Sequence, residues 1–394
     1  MKNIKKKQSG AVSLFVVIFT ALLITVVTVS FVRIMVQDQQ QATVTDLSQS
    51  AYDSAQAGVE DAKRALLRLQ SICDSDSSGA ACTNAKAQVD SSTCNDAVIT
   101  LNDVTVTDNE VKVQTGGANS LDQAYTCVKV ELNTPDYLGE LSNNSYNFIP
   151  LRGVSSSFDT VRIQWFGTND IDSTYSSFAL QPDAQTPLPA TWAPNKPPII
   201  RAQLAQFDKE NGFKLTDFNN TDFTNSQSDA NTLFLYPSTV GKNNFNFILD
   251  DVRRTVNSPV ATPVAPAHPQ SVKCATSLTN IYSCSADIKL PTTIGAGERE
   301  AYLFIGALYN KASYSVSLIN STTSAVVNFN NVQPEIDSTG RTSDLFRRVQ
   351  TRVELTDINF PYPRAAVDVA GNLCKDFRVT DDTDDYWISP SCTP

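Results

Sequence analysis

Twenty-two consecutive residues, Ala11 to Val32, carry no charge. At ~1.5 Å per residue, a helix of that length spans about 33 Å, roughly one hydrocarbon layer. Lys2, Lys5, Lys6 and Lys7 precede it with no acid among them, and the chain that follows is acidic. That asymmetry predicts a single pass with the N-terminus in the cytoplasm and the rest outside. The apolar run exceeds the ~7–15 residues of a signal-peptide core, and no small-residue cleavage site follows it. It is therefore expected to be retained as an anchor.

The helix is expected to continue well past the membrane. No proline occurs from Met1 to Gln70, and the less polar residues Val44, Leu47, Ala51, Ala55, Gly58, Val59, Ala62, Leu66 and Leu69 recur in steps dominated by three and four. That periodicity makes one stripe of an amphipathic rod. The stripe is rich in small residues, which permits close packing.

The remainder bounds the function classes. The net charge is −10 and only 18% of residues are charged. No nucleic-acid partner is expected, because phosphate contacts need clustered Lys and Arg. The cysteines stand at 73, 82, 94, 127, 274, 284, 374 and 392, all after the apolar segment and none in a CxxC pair. With one histidine in the chain, zinc is a poor fit and disulfides in an oxidising compartment are expected. The short loops favour Cys274–Cys284 and Cys374–Cys392, and Cys73–Cys82 with Cys94–Cys127 completes a local set.

The opening region resembles the type IV pilin superfamily. "KKKQSG" before an apolar helix is similar to a prepilin leader, and "SAQAGVEDAKRAL" (Ser54–Leu66) is similar to the A-x-A-G-[IV]-E-x-A stretch of PilX-type minor pilins and K-type minor pseudopilins. The resemblance covers about residues 5–70. It implies cleavage by a prepilin peptidase between Gly10 and Ala11, insertion in the inner membrane, and packing against other pilins through the N-terminal helix. One position departs from the family. Its usual glutamate at the fifth mature residue is replaced by Phe15. K-type subunits share that departure, which suits a place at a filament tip with no subunit above.

The expected organisation is a leader at 1–10, a helix at 11–70 with its membrane part at 11–36, and a small Cys-rich α/β subdomain at 71–135. A β-rich region at 136–256, a Pro-rich linker at 257–270 and a second β-rich region at 271–394 follow. "DVTVTDNEVKVQT" (Asp103–Thr115) is expected to form a hairpin about Asp108–Asn109. "YTCVKVEL", "TVRIQWFG", "IIRAQLAQF", "TLFLYP", "NFNFILD", "CSADIKL", "AYLFIGALY", "YSVSLIN", "SAVVNFN" and "RRVQTRVEL" are expected strands. The fold class is α+β: a long transmembrane and amphipathic helix, then a β-rich, disulfide-stapled extracellular head of antiparallel, sandwich-like build.

Chemistry is sparse. His268 lies in a Pro-rich run, where nothing would hold a catalytic imidazole, and no phosphate-binding glycine loop occurs. No enzyme activity is expected. No cofactor is required, and the one candidate metal site is a calcium turn at Asp381, Asp382, Asp384 and Asp385. The aromatics Trp192, Tyr386 and Trp387 are candidates for contact with a glycan or a cell-surface receptor. The expected role is a minor pilin or pilin-like subunit that primes or caps a filament, found in the cytoplasmic membrane and then at the surface, with a head that can adhere. A signal-anchored adhesin outside any filament and a secretion-system pseudopilin are the alternatives.

Overall fold

The computed structural model describes residues 10–102, 104–113, 122–143, 145–154, 156–171, 178, 180, 191–208, 229–250, 269–277, 281–295 and 299–355. One helix, α1 (Gly10–Ser75), runs unbroken for 66 residues, about 100 Å at ~1.5 Å per residue. Two short helices follow, α2 (Ala80–Val89) and α3 (Asp96–Asn102). Beyond them the head is β-rich, so the α+β class holds.

The smallest sheet contains β1 (Val111–Lys112) and β2 (Gln123–Glu131). The Asp108–Asn109 turn forms as its two residue types favour, with φ of 54° and 65°. Its first arm does not become a strand. Thr107 makes only an isolated bridge to Glu110, and β1 turns to β2 instead.

Further along come β3 (Tyr137–Leu141), β4 (Tyr146–Pro150), β5 (Phe158–Gly167), β6 (Ile199–Asp208), β7 (Asp229–Ser238), β8 (Asn244–Asn246) and β9 (Gln270–Lys273). The C-terminal part of the described chain adds β10 (Tyr282–Ile294), β11 (Arg299–Leu308), β12 (Ala312–Asn320), β13 (Ala325–Val327), β14 (Glu335–Thr342) and β15 (Leu345–Arg352). The expected strand "NFNFILD" shortens to β8. Asn246 Oδ1 accepts from the amides of Ile248 and Leu249 and turns the chain there.

A six-stranded sheet runs β13-β12-β5-β10-β8 with β3 also beside β12, and a five-stranded sheet runs β4-β11-β6-β7-β9. Most pairs are antiparallel, and β10–β8 and β7–β9 are parallel. The alternation of β5 buries Val161, Ile163 and Trp165, while Arg162 and Gln164 face out. One buried cluster joins these residues to Ile200 and Leu204 of β6 and to Leu303 and Ile305 of β11. Each such large side chain contributes roughly 1.5–3 kcal/mol on burial. Strands from the two expected β-rich regions, 136–256 and 271–394, interleave in both sheets.

The last two strands return to the smallest sheet, whose order is β1-β2-β14-β15. There they pack against α1, so residues near 335–352 and residues near 50–70 form two packed layers, sheet on helix. Cys73–Cys82, Cys94–Cys127 and Cys274–Cys284 are bonded. The expected Cys374–Cys392 pair lies outside the described residues.

Candidate assembly and membrane interface

Helix α1 has two chemically distinct halves. From Leu14 to Met35 its apolar side chains stand free of the head, with Phe15 75%, Phe19 71% and Phe31 69% exposed. Water would not tolerate that surface on an isolated rod, and a contiguous apolar patch of this extent marks a membrane or protein contact. The segment is long and apolar enough to cross a bilayer. Its hydroxyls need no outside partner. Thr20, Thr25, Thr28 and Ser30 donate to Val16 O, Leu22 O, Ile24 O and Val26 O at 2.6, 2.8, 2.8 and 2.8 Å. Polar groups satisfied within the helix are compatible with lipid or with a dry protein interface.

Gly10 and Ala11 lie in the first turn of α1, and Phe15 follows on the exposed apolar stretch. Nearby Val16, Phe19, Thr20 and Leu23 form a continuous patch with it. No carboxylate accompanies them in this part of the chain.

The distal half is embedded in the head. Ala51, Ala55, Val59, Ala62, Ala65, Leu66 and Leu69 are buried, whereas Val44, at the start of the expected stripe, is exposed. Burial thus begins a turn or two later than the periodicity suggests. The small residues are needed because the helix backbone lies close on the sheet. A Cβ at Gly58 would overlap Ser338 Oγ and reach Val128 Cγ2 at 2.7 Å. A Cβ at Gly340 of β14 would collide with the backbone of Ala51 and Ala55. Polar ties supplement the packing. Tyr125 Oη donates to Asp61 Oδ2 at 2.8 Å, Asn102 Nδ2 donates to Asp61 O at 2.6 Å, and Arg347 Nε donates to Ser48 Oγ at 2.8 Å. Arg68 donates to the carbonyl of Leu101. Burial is the main reason the Tyr125 hydroxyl titrates well above its ordinary range, and the Asp61 carboxylate adds to it.

The arrangement can transmit position. A head fixed on one end of a rigid rod moves with whatever holds the other end. Sequence periodicity located the rod's buried stripe but missed β14, which is its main partner. "EIDSTGRT" looks polar because the residues facing α1 (Ile336, Ser338, Gly340, Thr342) must be mostly small where backbones approach.

Trp192 does not serve as a free aromatic platform. It is half-buried, its Nε1 donates to Pro197 O at 3.1 Å, and it stacks on Tyr309 at 4.6 Å. The Lys196 ammonium sits 3.6 Å from its ring centroid and donates to Tyr236 Oη at 3.0 Å. Tyr386, Trp387, His268, the leader residues 1–9, most of the Pro-rich run, and the candidate calcium carboxylates Asp381, Asp382, Asp384 and Asp385 lie outside the described residues. Among the described residues, no group of three or more His, Cys, Asp or Glu is placed to hold a metal ion.

Comparison with protein-family models, curated proteins and solved structures returns no match.

Proposed function

We propose that this chain is a minor pilin-like subunit, anchored in the cytoplasmic membrane and then drawn into a type IV pilus-like filament. Prepilin peptidase cuts after Gly10, and the apolar half of α1 moves from lipid to a bundle of like helices. Phe15, in place of the usual glutamate, leaves no buried carboxylate to neutralise a neighbour's N-terminal amine, which suits a tip position. The head, which we read as a disulfide-stapled sandwich outside the cell, is carried at the filament end and is free to adhere.

The observation that supports this best is the division of one unbroken helix. Its first third is apolar, bare and internally hydrogen-bonded, and its last third is locked to the head by a small-residue stripe. A plain anchor needs only the first of these. A subunit that must hold its head rigidly against a helical bundle needs both.

Shearing surface fibres from cells and probing the fractions tests the reading. The chain should be recovered with the fibres at low stoichiometry, and its deletion should lower fibre number at least severalfold. Recovery wholly in the cytoplasmic-membrane fraction, with fibre number unchanged, would favour a signal-anchored surface protein instead.

A further inference from the structure

The outward face of the six-stranded sheet carries a groove of about 610 Å³. Register builds its floor. Ser317, Arg162, Asp287 and Asn244 align as one cross-strand row, and Ile319, Thr160, Lys289 and Asn246 as the next. The 242–250 turn, with Lys242, Leu249 and Asp250, makes one wall, and Ser321 and Ser324 of the β12–β13 hairpin make the other.

The charges of this groove are mostly committed. Arg162 holds Asp287 through two bonds of 2.6 and 2.8 Å, and Lys242 holds Asp250 at 2.7 Å. Asp159, beside the hairpin, accepts from Ser321 N at 2.8 Å and from its hydroxyl at 2.5 Å. Lys289 differs. It is exposed on the floor and has no ion pair within 4 Å among the described residues. The groove therefore offers one cation outside any salt bridge, acting at longer range on the Asp159 carboxylate, among amides, hydroxyls and already paired charges, with Leu249 58% exposed on its wall.

We propose that this groove binds an acidic saccharide, one carboxylate going to Lys289 and the ring hydroxyls to Asn244 and to the side-chain N–H groups of Asn246. A phosphate ligand is less suited, because Arg162 and Lys242 are not free to join Lys289 on a multiply charged group. Side-chain amides and hydroxyls that both donate and accept match a polyol better than a hydrocarbon. Leu249 gives the apolar face of a sugar ring a surface to lie on. The inference deepens the adhesive part of the proposed function. It rests on the head lying outside the cell and does not depend on filament assembly.

The test uses the full chain in detergent micelles, titrated with sialyllactose, tri-galacturonate, neutral lactose and tetra-aspartate, with binding followed by ligand-observed NMR. One or both acidic sugars should bind, and which of them does separates a sialylated surface from a polyuronate. Lys289→Glu should weaken that binding about tenfold or more, the scale of one charge-assisted hydrogen bond. Lys289→Gln should bring acidic and neutral sugars to similar affinity. Unchanged circular dichroism and melting would establish that both variants fold. Failure of both acidic sugars to bind, equal binding by lactose, indifference to Lys289→Glu, or tighter binding of tetra-aspartate would each overturn the proposal. None of those outcomes touches the fibre fractionation, so the two readings fail separately.

Discussion

Lys196 shows how a single residue can set a pH dependence. Its side chain is buried between Trp192 and Tyr236, and burial pushes its pKa down to about 8. An unfolded chain binds that proton up to about pH 10.4. Between those values the folded state holds fewer protons than the unfolded one, so stability rises with pH across that window. Below pH 8 both states are protonated, and the cost of the buried charge is fully present. Lys196→Met keeps the apolar stem over Trp192 and removes the ionisation. The stability gap between the two proteins should therefore move toward the natural chain as pH rises from 8 to 10.5, by on the order of 2 kcal/mol. Thermal melts in that range check it. A gap that stays flat would mean the ammonium is solvated, and one that moves the other way would mean the fold stabilises its charge. Phe15 is the other telling residue: in an apolar phase an unpaired carboxylate is costly, and the apolar segment around Phe15 carries none.

At the scale of elements, the contact between α1 and β14 decides how the head is held. Glycine in a strand is ordinarily a weakness, costing roughly 0.5–1 kcal/mol relative to alanine. At Gly340 the sign should reverse, because a methyl group would strike the backbone of Ala51 and Ala55, which cannot swing aside as a side chain would. Gly340→Ala should destabilise the full chain by about 1–3 kcal/mol, read as a lower melting temperature in detergent. An unchanged or higher melting temperature would mean that helix and strand do not touch there.

The same contact explains what could be read in the sequence and what could not. Periodicity of three and four located α1, and alternation located β5, because in both a buried face repeats with large apolar residues such as Leu66, Leu69, Val161 and Trp165. The Asp108–Asn109 turn was legible because few residue pairs accept two positive φ angles in succession. β14 was not, since close approach replaces bulk by Ser338 and Gly340. Nor was the destination of β14 and β15 legible, because pairing with β2 joins residues about 200 positions apart, and no local pattern carries that information. The polar groove was hidden for a related reason. Arg162, Asp287 and Asn244 become neighbours only through strand register.

At the largest scale, helix and head within residues 10–355 act as a rod and a load. The rod's bare end matches the chemistry of a bilayer or of a helical bundle, and its embedded end leaves little freedom between helix and head. Glu354 accepts from Tyr137, and Arg352 bonds Asp136 at 3.4 Å and Glu335 at 2.9 Å, so the end of the described chain is also tied to the start of the six-stranded sheet. Force or position imposed on α1 therefore reaches both parts of the head. That is a mechanical property, and it acquires a filament function only if the N-terminus is processed for assembly. The direct measurement is the N-terminal residue of the protein isolated from membranes and from sheared surface material, read by mass spectrometry. The account predicts a start at Ala11. An intact Met1, or a start at Lys2 after loss of the methionine, would contradict it and leave α1 a plain membrane anchor.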